Sequence, residues 1–135
     1  MEIFKIPTLL DRLPLIDLNK INSENSAEMR SRYINLGEFD RGSVSLIKYA
    51  GETPWERHVD GDEFFYLLEG ELRVTLLTED SQEFILTKGD TCIVPRNVWH
   101  RSKADSQVTL LALIASEHGP VSYAEDPRIS GVASR

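Results

Sequence analysis

Cysteine is almost missing from this chain. Cys92 stands alone, so no internal disulfide can form. A single thiol fits a reducing compartment, and a cytoplasmic location is expected. Positive charge is also in deficit: 15 Lys and Arg stand against 22 Asp and Glu, and the formal net charge is −7. The basic residues are scattered, which argues against nucleic acid and anionic membrane as partners. No apolar run approaches the roughly 20 residues that cross a bilayer. The start, Met1-Glu2-Ile3-Phe4-Lys5-Ile6-Pro7, has no basic stretch leading into an apolar core, so no signal peptide is expected. Within these bounds, 135 residues make one domain with room for a hydrophobic core.

Long helical patterns are missing as well. Pro7 to Leu13 reads as one or two helical turns closed before Pro14, and Asn22 to Ser26 as a polar turn. From Ser31 onward, short β-rich runs alternate with turn signals. Candidate strands are Arg32–Leu36, Ser43–Tyr49, Glu63–Glu69, Glu71–Leu77, Glu83–Thr87, Thr91–Val94, Trp99–Ser102 and Val108–Ile114. That spacing predicts an all-β sandwich or barrel. The chain divides into an N-terminal segment (1–30) with a short helix and a strand that contacts a dimer partner, a β-barrel (31–116), and an irregular tail (117–135). Phe64-Phe65-Tyr66-Leu67-Leu68 is apolar on both faces, so both should be covered. One cover is the barrel interior. The other is the N-terminal segment or a second copy of the chain, and a homodimer is expected.

What is present is a concentration of histidine in two turns. Of three histidines, His58 and His100 lie in Trp55-Glu56-Arg57-His58-Val59-Asp60-Gly61-Asp62-Glu63 and in Pro95-Arg96-Asn97-Val98-Trp99-His100. Asp60-Gly61 signals a tight turn, so a hairpin should bring Glu56, His58 and Glu63 toward one point. His100 opens a strand after a second turn and can face the same point. Two imidazoles and a carboxylate from separate strands form a metal-ligand set suited to Mn, Fe, Ni, Zn or Cu, with no thiolate to force Zn. The bland alternative makes His58 and His100 hydrogen-bonded pocket residues. His118, in Glu117-His118-Gly119-Pro120, reads as a solvated tail residue. Trp55 and Trp99 flank the two turns and, with Phe65, are candidate pocket-lining residues; rim packing is the competing reading for the tryptophans. Cys92 reads as an inert buried thiol. Lys48 and Arg73 are candidate anion-binding residues, with a solvated outer face as the plainer reading.

These residues resemble the two motifs of the cupin superfamily. In the first motif a glycine (Gly51) precedes Glu56-Arg57-His58, four residues separate His58 from Glu63, and six separate Glu63 from Gly70. In the second, Gly89 is followed by five residues, Pro95-Arg96-Asn97, two residues and His100. The resemblance covers about Ser43 to Ile114. It departs at Glu56, where the family has its first histidine, at Asn97, where it has glycine, and at Ala104, where an asparagine often closes the second motif.

The resemblance implies a single antiparallel β-barrel, or double-stranded β-helix, of jelly-roll type. It also implies a divalent metal (Fe, Mn, Ni or Zn) held by His58, Glu63 and His100, with Glu56 as fourth ligand, catalytic base or substrate contact. Two carboxylates and two imidazoles would neutralise a divalent cation and favour a harder ion such as Mn or Fe. The implied activity is that of a dioxygenase, isomerase or decarboxylase acting on a small polar or aromatic molecule. The alternative is a non-catalytic small-ligand-binding module without metal, since some cupins carry degenerate ligand sets.

Overall fold

The computed structural model describes residues 1–116, 119–129 and 133–134. The N-terminal segment runs through a helix α1 (Ile6–Leu10), a strand β1 (Leu15–Asp17), a 3-10 turn (Leu18–Lys20) and a helix α2 (Ser26–Ser31). Pro7 sits in the first turn of α1, where its missing N–H costs nothing. The strands that follow are β2 (Ile34–Phe39), β3 (Gly42–Glu52), β4 (Trp55–Glu56), β5 (Glu63–Glu69), β6 (Glu71–Leu77), β7 (Ser81–Thr87), β8 (Thr91–Val94), β9 (Trp99–Ile114) and β10 (Pro120–Ser122). A two-residue strand, β11 (Ala133–Ser134), pairs with β10.

The sheet is organised by β9, which was expected as two strands and is one of 16 residues. Its first half pairs with β4 and β6, its second half with β5, and most of its length with β3. The polar stretch from Asp105 to Gln107 is exposed and lies within the continuous strand, where the register against β3 shifts. Folded over in this way, the eleven strands among the described residues form one jelly-roll sheet. Hydrogen bonds do not close it into a barrel, because among the described residues β7 pairs only with β6 and β8 only with β5. Among the described residues one pair is parallel: β1 lies along Lys48 to Ala50 of β3, continuing the edge that β2 occupies further up. The tail, expected to be irregular, contributes β10, which pairs with β4.

On β5, burial alternates as the apolar pattern requires. Glu63, Phe65 and Leu67 point inward and are buried, while Phe64, Tyr66 and Leu68 are half-buried on the outer face. The inner core joins Phe65 and Leu67 to Leu72, Val74, Val108 and Leu110, and it is completed by Ile16, Leu18 and Met29 from the N-terminal segment. Outside, Leu9 and Leu13 pack on Leu46, with Leu68 and Leu111 at the edge of that cluster. The N-terminal segment therefore covers both an inner opening and part of the outer face. Gly70, at φ 91, makes the tight turn from β5 to β6. Among the described residues no helix is long and apolar enough to cross a membrane.

Candidate metal centre

Glu56 ends β4 and stands directly opposite His100 on β9. Opposed residues of an antiparallel pair project to the same face, so both side chains enter the interior together. Glu63 opens β5 on the other half of the fold, where it pairs with Val94 and with Ile114. His58 comes from the loop at 57–62 that links the two halves. The hairpin expected around Asp60-Gly61 does not form: β4 pairs with β9 and β10, and β5 with β8 and β9. The residues still converge, because tertiary pairing to β9 replaces the local turn.

The His58 loop is held from three sides. Arg57 N–H donates to Pro120 O at 3.1 Å, and Asn97 N–H donates to His58 O at 2.6 Å. Asn97 achieves this in the left-handed region, at φ 62, which its short amide side chain tolerates in place of glycine. The Asp62 carboxylate accepts from Arg96 N–H at 2.9 Å and faces Arg96 Nε at 3.4 Å. Gly119 passes so close to the loop that an added Cβ would collide with Arg57 O and crowd His58 Cα.

Within the cluster, His58 Nε2 lies 3.0 Å from Glu63 Oε2 and 3.7 Å from Glu56 Oε2. His100 Nε2 lies 3.6 Å from Glu63 Oε1. The imidazole centroids are 5.5 Å apart. His58, Glu63 and His100 are all buried, and Glu56 is mostly so. One donor atom each from Glu56, His58 and His100 fall mutually within 4.8 Å, and Glu63 touches both imidazoles. Donors around a common ion at 2.0–2.2 Å stand about 3–4 Å apart, so these spacings suit one ion.

The polar bookkeeping points the same way. His58 Nδ1 and Nε2 and His100 Nε2 are buried without an aligned hydrogen-bond partner among the described residues. His100 Nδ1 lies 3.0 Å from Val98 O, and a proton donated there leaves the Nε2 lone pair directed into the site. Burial alone would raise the Glu63 carboxyl, but the facing imidazoles of His100 and His58 outweigh it and hold the group at about 2. Burial pulls His100 down, yet Glu63 and then Glu56 overcome it and leave the imidazole above its ordinary value. Two imidazoles and two carboxylates gathered in a buried interior fit a bound divalent cation.

A cavity of about 50 Å³ opens against Glu56 and Glu63. Phe65 lines it. Trp55 and Trp99 lie elsewhere. The Arg101 guanidinium sits 4.4 Å over the Trp55 ring, in a separate cleft, while Trp55 Nε1–H donates to Glu125 O at 3.1 Å. The Arg57 guanidinium sits 4.9 Å from the Trp99 ring centroid. Both tryptophans are buried by packing. Arg73 pairs with Glu83 at 3.3 Å, away from the cavity. Cys92 packs at the edge of the core as a free thiol. His118 lies outside the described residues.

Sequence reasoning missed the hydroxyl side of the cavity. Tyr49 and Ser102 line it and share a buried hydrogen bond of 2.7 Å, and Thr53 lies beside them. Alternation along Ser43 to Tyr49 would have put Tyr49 on the same face as Ile47, which also lines the cavity.

A jelly-roll fold with two imidazoles and two carboxylates gathered in its interior defines a small β-protein with a candidate metal centre. The cupin domain profile Cupin_2 matches residues 43–115, more than half of the chain, and the chain belongs to that family. The Bacillus subtilis protein YdbB is 26% identical over 109 residues, spanning 81% of this chain and 95% of its own. A cupin-2 domain containing protein from Shewanella frigidimarina superposes with a TM-score of 0.54 at 24% identity, covering 70% of this chain and 92% of its own. The hydroquinone 1,2-dioxygenase of Sphingomonas, solved with 4-hydroxybenzoate bound, superposes with a TM-score of 0.52 at 16% identity. That match covers 64% of this chain and 66% of the other. At these identities the structural likeness establishes the fold.

Proposed function

We propose that this cupin is a small metal-dependent enzyme. His58, His100, Glu56 and Glu63 would hold one divalent ion (Fe, Mn, Ni or Zn), and a small molecule would react in the adjoining cavity. The observation that carries the reading is the gathering of two buried imidazoles against two carboxylates, with His58 Nε2 3.0 Å from Glu63 and 3.7 Å from Glu56, and His100 Nε2 3.6 Å from Glu63. In this reading Glu56 takes the place of a ligand rather than a free base, because its carboxylate falls within the mutual 4.8 Å set with both histidines. The ion would supply Lewis-acid or redox chemistry to a dioxygenase-, isomerase- or decarboxylase-type reaction. The chain's own residues orient the ligand and keep water out. The experiment is equilibrium dialysis of chelator-treated protein against each of the four ions, followed by product analysis with a panel of small carbonyl and hydroxy compounds. One tight site per chain, lost in His58→Ala, supports the reading; no saturable site overturns it.

A homodimer accompanies this proposal. Phe64, Leu113 and Val44 lie side by side on the outer face of β5, β9 and β3, all half-buried, next to Ile93, which is 65% exposed. Helix α1 packs on the neighbouring Leu46 region. A second copy placed there would bury this patch. Sedimentation of the wild type as a dimer and of Ile93→Lys as a monomer checks it; a monomeric wild type at micromolar concentration contradicts it. A cytoplasmic site of action fits the lone, unpaired Cys92.

A further inference from the structure

We infer that the cavity beside Glu56 and Glu63 selects an uncharged ligand of only a few heavy atoms, carrying one carbonyl or hydroxyl group, and rejects carboxylates. The inference deepens the metal-site reading and rests on it for the position of the reacting group, but its evidence is the cavity itself.

Size is the first observation. At about 50 Å³ the cavity is far smaller than the roughly 150 Å³ that holds a benzene ring. Ile16, Leu18 and Met29 line it, and they belong to the hydrophobic core that ties the N-terminal segment to the sheet. A ring-sized molecule would have to prise that core apart.

Charge is the second. No Lys or Arg lines the cavity among the described residues, whereas two carboxylates do. Two carboxylates and two neutral imidazoles cancel the charge of a divalent ion. An incoming anion would therefore lose its hydration and meet no net countercharge. An uncharged ligand escapes that cost.

Polarity is the third. The walls are mainly apolar, with hydroxyl groups from Tyr33, Tyr49, Thr53 and Ser102, of which Tyr49 and Ser102 share a buried hydrogen bond of 2.7 Å. Burial is the main influence on Tyr49, and it keeps the phenol protonated. With the Ser102 hydroxyl donating to Tyr49, the phenol O–H is left to donate to a carbonyl or hydroxyl oxygen whose apolar body rests against Met29 and Phe65.

Acetone and acetate test this directly, since they have the same shape and differ in charge. The chain contains two methionines, Met1 and Met29. Met29 lines the cavity and Met1 is exposed, so protein labelled with carbon-13 at the methionine methyls carries a reporter and a control. In zinc-loaded protein, acetone should shift the Met29 signal saturably and leave Met1 in place. Acetate should need at least about tenfold higher concentration, equivalent to about 1.4 kcal/mol. Acetate acting at equal or lower concentration would overturn the inference, as would acetone failing to move Met29. Zinc content is measured on the same sample. Its absence would refute the metal reading alone, because the carboxylates still wall the cavity and the same order of probes is expected in metal-free protein.

Discussion

Glu56 and His100 are direct partners across the β4–β9 ladder. That single register fixes two of the four site residues on one inner face, whatever the loops do. It also explains how a glutamate can stand where the cupin motif has a histidine: the position projects inward regardless of which ligand type occupies it.

Glu56→Gln keeps the size of the side chain and removes its charge. If Glu56 is a ligand, the affinity for Zn or Mn should fall at least about tenfold, since a neutral amide is a poorer donor to a divalent cation. Competition against a metal indicator measures it. Unchanged affinity with lost turnover would make Glu56 a base instead.

Much of this was legible in sequence, for identifiable reasons. The bounds of β5, β6 and β8 match the sequence reading to the residue because glycine, aspartate or proline turns bracket each one. The spacing of His58, Glu63 and His100 placed them in one cluster, and they meet. What stayed hidden depends on non-local pairing. Nothing near Leu15 announces a parallel partner at Lys48, and nothing in Pro120-Val121-Ser122 announces β4. The Asp60-Gly61 signal was locally sound, but β9 offered both flanking strands a better partner. Helix α2, short and polar, has little periodicity to read and is fixed by the burial of Met29.

Acidity should separate the metal-free from the metal-loaded protein. His100 is raised above its ordinary 6.5, so its contribution to stability is complete below that value and is lost as the pH rises through the higher folded value. Glu63 is lowered from 4.5 to about 2, so its contribution is present above 4.5 and is lost as the pH falls from there toward 2. These are two views of one interaction. Metal-free protein should therefore melt highest between about pH 4.5 and 6.5 and lose stability above that. A bound ion needs neutral imidazoles, so the gap in melting temperature between loaded and metal-free protein should widen from about pH 6 to pH 8. Thermal unfolding of both forms across pH checks this, and a constant gap would contradict it.

Gly119 packs against the backbone of the loop that carries His58. A methyl group there would collide with Arg57 O and shift the backbone that carries His58. Gly119→Ala should lower metal affinity by about 10- to 100-fold, the range typical of residues that position ligands. Its far-ultraviolet circular dichroism should match the wild type, since the strand register of β3, β5 and β9 does not pass through Gly119. Wild-type affinity in this variant would show that the strap from Gly119 to Ser122 does not set the position of His58.

The most direct test of the central claim is the metal content of untagged protein purified without added metal, wild type beside His100→Ala. About one divalent ion per chain is expected in the wild type and close to none in the variant, with the β-rich circular dichroism of both alike. A wild type free of metal, or a His100→Ala protein with undiminished metal content, would contradict the assignment.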